Sequence, residues 1–195
     1  MPTFNKRTFD LATLASSLTA AAASAPRAWW AQQWPATSRA LQEQVMLAVS
    51  SVTQCRYCTW VHAGAALEAG VDLEQLQHLL AEESLQNATS KERIAILFAQ
   101  HYADTGGHPT GAAVSRLYCT LSRPEYLEVM ALIDTIYFSN LAGNSMDAVI
   151  ARLKGQKVEN GHLLAEVLAA AVAWPTLGVV WLRSRRQRQS DMAAL

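Results

Sequence analysis

Glycine and proline are scarce in this sequence, 9 and 6 among 195 residues. A chain so poor in turn and breaker residues, and half hydrophobic in composition, reads as a helical globular protein rather than a disordered one. Net charge is missing too. Sixteen basic residues balance sixteen acidic ones, so the chain lacks the basic footprint of a nucleic-acid binder. Three cysteines cannot form a disulfide framework, and a close pair among them points to cytosolic redox or metal chemistry. No segment alternates as a strand and none repeats. That leaves an all-α chain, long enough for one domain with a sizeable core.

Lys6 and Arg7 ahead of LATLASSLTAAAASAP imitate a signal peptide, but Asp10 and the scattered Thr and Ser break the apolar run. We read a retained amphipathic helix from Asp10 to about Ala23, ended before Pro26. Trp29, Trp30 and Trp34 follow, placed in the core or a subunit interface, with ligand stacking as the alternative. Thr37 or Ser38 caps a helix to about Val52. After a break at Thr53–Gln54 another runs from Cys55 to about Ala69, stopped by Gly70. Asp72 with Gln75, Thr89 with Glu92, and Ser122 with Glu125 are capping signals. They predict helices to about Glu83, about Tyr102 and about Asn144, with another over Ala112–Leu121 and a last one over Ser145–Leu153.

The expected architecture is a helical domain over residues 1–155, about eight to ten helices around a central antiparallel hairpin. A linker at Gly155–Gly161 leads to a C-terminal segment, 156–195. There, residues 163–182 meet the length and flanking criteria of a membrane span, with RSRRQR behind them. Glu166 and Pro175 argue against insertion. We read a helix completing the core or an oligomer interface, with membrane association as the alternative.

Chemistry concentrates in EQVMLAVSSVTQCRYCTWVH, residues 43–62. On one straight helix Glu43 and Cys55 would stand about 18 Å apart. A chain reversal near Thr53 instead brings Glu43, ten residues before the turn, level with His62, nine after it. Cys55, Cys58 and His62 then share one helix face at i, i+3 and i+7. Cys58, in the first turn of its helix and one turn from His62, is the better attacking thiolate. His62 accepts its proton, Glu43 orients or recharges the imidazole, and Cys55 resolves the oxidised Cys58 as a disulfide that an external dithiol reopens. Two other readings stay open. Cys55, Cys58 and His62 supply three zinc ligands but no second C-x-x-C or H-x-x-x-H supplies a fourth, and a redox-sensing protein would use the same disulfide without turnover. Thr59 after the C-x-x-C excludes covalent haem, which needs His there.

The pattern E-x11-C-x2-C-x3-H, followed by A-G-V-D, resembles the alkylhydroperoxidase D-like branch of the carboxymuconolactone decarboxylase superfamily. The likeness is specific over about Thr37 to Asp72, looser through Asn144, and leaves out the first 35 residues and those after Gly155. It implies an all-helical fold, trimers or hexamers, and reduction of a small hydroperoxide or disulfide in the cytoplasm. It also implies no bound cofactor and recycling by a lipoyl-type dithiol, on a lipoyl-bearing protein in the better-known members. By position, Glu43, Cys55, Cys58 and His62 are the proton relay and redox pair. Tyr57 departs from the pattern, standing where a founding-type member has a second His. Decarboxylase activity is disfavoured, because those members lack the C-x-x-C.

Elsewhere, His101, Asp104 and His108 flank Gly106–Gly107 and are read as a helix end and loop rather than metal ligands. Cys119 is read as a core thiol. Asn140 and Asn144, one turn apart, are placed at a helix interface or near the site, without an assigned role.

Overall fold

The computed structural model describes residues 3–80 and 90–172, with side chains described to residue 77 in the first stretch. It is all-α apart from one minimal strand pair. The elements are β1 (Thr3–Phe4), α1 (Leu11–Gln33), α2 (Arg39–Thr53), α3 (Arg56–Glu68), α4 (Leu73–Leu80), α5 (Ser90–Asp104), α6 (Gly111–Thr120), α7 (Arg123–Leu153) and β2 (Lys157–Val158). An eighth helix, α8, occupies 163–172. The expected continuation of α4 to Glu83, the Thr89 cap, and residues 173–182 with the basic tail lie outside the described residues.

The organising element is α7, 31 residues and about 46 Å long at the helical rise. Its start follows the predicted punctuation: Pro124 sits in the first turn and Glu125 accepts the Ser122 amide at 2.7 Å. The predicted division near Asn144 is wrong, because α7 runs on unbroken. Asn140, Leu141, Ala142, Gly143, Asn144 and Ser145 are all buried there, and packing on every side sustains a helix that propensity alone would interrupt.

The first helix also corrects the prediction. Pro26 lies inside α1 rather than beyond its end. A proline there forfeits one backbone hydrogen bond, and contacts with α7 offset the loss. Ala28 packs on Ala131 and Leu132, and the Ser24 hydroxyl donates to Asp134 at 2.7 Å. Small residues make this seam, with Ser17, Ala21, Ala28 and Ala31 buried. The tryptophans therefore point outward: Trp29, Trp30 and Trp34 are 59%, 54% and 60% exposed, not core as one expectation had it. Cys119 is likewise exposed; the short α6 turns only Leu117 fully inward.

The start of the described residues is stitched to the segment after α7. Thr3 and Phe4 pair in parallel with Lys157 and Val158, inside the stretch predicted to be a plain linker. Beyond it, α8 sends Ala165 and Ala169 into the main core and buries Glu166 completely, where Arg152 Nε holds its carboxylate at 2.8 Å. A Cβ at Gly161 would fall on that carboxylate. Among the described residues no helix is long and apolar enough to cross a membrane.

Candidate active site

The predicted hairpin is present. Ser38 caps α2 by accepting the Leu41 amide at 3.2 Å, and α2 ends at Gln54 in the left-handed region, φ +58°. That one residue reverses the chain. Cys55 occupies the N-cap position of α3, so Cys58 stands at the third helical position, in the first turn. Asn144 of α7 fastens the reversal: its Nδ2 donates to the Thr53 carbonyl at 2.7 Å and to the Arg7 carbonyl at 3.0 Å. One turn back, Asn140 Nδ2 donates to Ser50 Oγ at 3.2 Å. Both asparagines thus lock the hairpin to α7, which supplies the role their sequence positions left open.

Across the hairpin, Glu43 Oε2 and His62 Nδ1 lie 2.7 Å apart. Glu43 is 1% exposed, so its charge is desolvated unless partners compensate. His62 provides one partner. Arg39, one turn earlier on α2, provides another: its Nη2 is 2.6 Å from Glu43 Oε1. With Nδ1 engaged, the other imidazole nitrogen is left for proton exchange.

The two sulfurs stand 2.8 Å apart and are free thiols. Cys55 is wholly buried and Cys58 is 8% exposed. The hydrogen bond from Cys58 lowers the Cys55 pKa from the usual thiol range, against the opposing effect of burial. The same bond, with burial second, raises Cys58 well above that range. The pair therefore behaves as one dithiol that releases its first proton easily and holds the second tightly between the sulfurs. Sequence position favours Cys58 as the thiolate, and the 2.8 Å contact lets the two sulfurs share the remaining proton once the first has left. Access also favours Cys58, because only it retains any exposure.

Tyr57, inside the C-x-x-C, is anchored from α7. Its hydroxyl donates to Asp147 Oδ1 at 3.0 Å, and Arg56 Nη2 reaches the same oxygen at 2.6 Å. Lys6 approaches the other oxygen at 3.6 Å. Burial and the Asp147 charge both raise the Tyr57 pKa. The Arg56 guanidinium also stacks over the Tyr57 ring, 4.7 Å from its centroid.

The helix α7 approaches Cys55 through Gly143, where a Cβ would stand 2.9 Å from the sulfur. Arg39, Gln42, Gly143 and Asp147 escape sequence reasoning. For Arg39 a signal exists, the i,i+4 spacing to Glu43. Gly143 and Asp147 have none, because about 90 residues of chain separate them from their partners. The His101 region is a closed loop: His101 Nε2 accepts the Thr110 amide at 3.2 Å, across Gly106 and Gly107 at φ +70° and +85°. Among the described residues no three His, Cys, Asp or Glu side chains cluster to hold a metal ion.

Residues 20–101 match the model of the Carboxymuconolactone decarboxylase family. The matched stretch contains Glu43, Cys55, Cys58 and His62, begins earlier than the motif likeness and stops well before Asn144. No curated protein and no solved structure matches the chain.

Proposed function

We propose that this chain, whose residues 20–101 carry a carboxymuconolactone decarboxylase family domain, is a thiol-dependent peroxidase or disulfide oxidoreductase of the alkylhydroperoxidase D-like kind. The observation that carries this reading is the convergence on one hairpin of a 2.7 Å Glu43–His62 contact and a 2.8 Å pair of free thiols. A carboxylate–imidazole dyad whose histidine follows the dithiol by one turn of α3 suits a reaction that moves protons and two electrons together.

Cys58, the sulfur with access, attacks the distal oxygen of a hydroperoxide once the shared proton rests on Cys55. The O–O bond breaks, Cys58 becomes a sulfenic acid, and the departing alkoxide takes a proton from the His62–Glu43 dyad to leave as alcohol. Cys55 then attacks the sulfenic sulfur, closing the Cys55–Cys58 disulfide and expelling hydroxide, which leaves as water with the Cys55 proton. An external dithiol of lipoyl type, carried on a partner protein, restores the pair. With a disulfide substrate, the same thiolate attacks sulfur instead of oxygen. The exposed face of Trp29, Trp30 and Trp34 suits a subunit contact in a trimer or hexamer, and two free thiols suit a reducing cytoplasm.

Thiol titration before and after one equivalent of hydroperoxide tests the reading. Rapid loss of two thiols is expected, and Cys58→Ser abolishes peroxide consumption. Cys55→Ser leaves a single turnover. Full activity in the Cys58 variant would sink the assignment.

A further inference from the structure

The two oxygens of Glu43 have different partners. Oε2 meets His62, while Oε1 accepts no aligned hydrogen bond and depends on the Arg39 charge 2.6 Å away. Arg39 is more than half exposed, and a long side chain at the surface gives up rotamer entropy by staying in one place. A chain of hydrogen bonds keeps it there. Arg39 Nη1 donates to Gln42 Oε1 at 3.2 Å, and Gln42 Nε2 donates to Glu128 Oε1 at 3.0 Å. Glu128 of α7 is fixed in turn by the Ala36 and Thr37 amides, at 2.6 and 3.0 Å, and by the Thr37 hydroxyl.

Gln42 is 2% exposed and can stand only one way round. A flipped amide would turn its NH2 toward the guanidinium and its carbonyl toward the Glu128 carboxylate, losing both bonds. The buried carboxylate on α7 thus dictates the amide orientation, and the amide presents an acceptor to Arg39. An ordinary surface i,i+4 ion pair is weak and positions nothing. This pair differs because one member is sealed and the other is held.

We propose that Arg39 and Gln42 are positioning residues for the Glu43–His62 dyad, with the Glu128–Gln42–Arg39 chain holding Glu43 Oε1 so that Oε2 stays aimed at the imidazole. The proposal rests on the thiol-dependent reading above, but its test does not need turnover. In a Cys119→Ser background, which removes the exposed thiol, iodoacetamide alkylation of Cys58 is followed across pH by peptide mass analysis. Hydroperoxide consumption and melting temperature are measured in parallel. Arg39→Met is expected to slow Cys58 alkylation at neutral pH about tenfold and to move the profile upward by roughly one pH unit, in protein that stays folded at the assay temperature although its melting temperature falls, because a sealed carboxylate oxygen loses its counter-charge. Arg39→Lys, which keeps the charge, recovers most of the rate. Gln42→Leu acts in the same direction and less strongly. In a His62→Gln background Arg39→Met adds nothing further, because the dyad it serves is gone.

An Arg39→Met profile superimposed on the wild type, or an equal Arg39→Met effect with and without His62, overturns the positioning role. Wild-type protein that consumes neither hydroperoxide nor disulfide overturns the functional reading instead, and the alkylation profiles still decide the role of Arg39.

Discussion

Gly143 on α7 faces Cys55 on the hairpin so closely that one methyl group there would lie 2.9 Å from the sulfur. A real Cβ does not tolerate that distance, so Gly143→Ala must push the Cys55 sulfur or the helix aside. The displaced sulfur would leave its 2.8 Å contact with Cys58. We expect a stability loss of about 1–3 kcal/mol, measured by denaturant unfolding. We also expect the first, peroxide-dependent oxidation of Cys58 to survive while disulfide closure slows, so that a sulfenic-acid trap captures far more adduct than in the wild type. Unchanged closure kinetics would show that the close approach has no bearing on resolution.

The thiol pair yields a prediction of opposite signs. The largest cause lowering Cys55 is the hydrogen bond from Cys58, while burial works against it. Cys58→Ala deletes the donor and leaves the burial, so the Cys55 pKa rises, although the Cys58 and Tyr57 amides still pull it down. Cys58→Ser keeps a hydroxyl donor and raises it less. In Cys55→Ala the bond that raises Cys58 disappears while its burial remains, so Cys58 moves down yet stays above the ordinary range. Ultraviolet thiolate absorbance followed across pH reads all three, and a shift of both cysteines in the same direction contradicts the shared proton.

How much of this was legible beforehand depended on the range of each interaction. The hairpin could be read because its determinants are local: Ser38, the break at Gln54, Gly70 and the spacing from Glu43 to His62 all lie within 33 residues. The Glu43–His62 contact followed from that register. Pro26 misled, because its cost is local and visible while the α7 seam that offsets it is distant. The outward tryptophans misled for a related reason. Hydrophobicity alone does not reveal that the inward face of α1 is reserved for alanine and serine, whose small side chains let two long helices approach closely. Gly143 and Asp147 had no legible partner until the fold laid α7 across the C-x-x-C.

Asp147 is expected to act on the site through Tyr57. It is 8% exposed and accepts from both Arg56 and Tyr57. Its charge helps to raise the Tyr57 pKa, after burial, and makes a smaller contribution opposing the lowering of Cys55. Asp147→Asn keeps an acceptor oxygen and removes the charge, so both titrations move to lower pH. Weakening two charge-assisted bonds at a mostly buried position costs about 1–3 kcal/mol. Phenolate and thiolate absorbance follow the titrations, and thermal unfolding follows the cost. Tyr57→Phe separates the effects by leaving the Arg56–Asp147 pair in place.

The buried pair at the far end of α7 tests whether the C-terminal segment belongs to the folded body. Glu166 is completely buried, held by Arg152 Nε at 2.8 Å and Nη2 at 3.2 Å, with Arg152 itself about one-third exposed. Removing only Arg152 leaves a carboxylate in the core without its counter-charge. Such a change costs about 3–5 kcal/mol when both partners are sealed, and the partial exposure of Arg152 places this case at the low end. We therefore expect Arg152→Met to lower the unfolding midpoint strongly and to expose the end of α7 and residues 163–172 to proteolysis together. Arg152→Met combined with Glu166→Leu removes both charges, so most of the lost stability returns. Were α8 instead loosely attached, the single and double variants would unfold alike, and cleavage after residue 160 would leave the melting of the helical body unchanged. That outcome would detach the C-terminal segment from the fold. Recovery in the double variant ties it to α7 through packing, with the ion pair specifying where it docks.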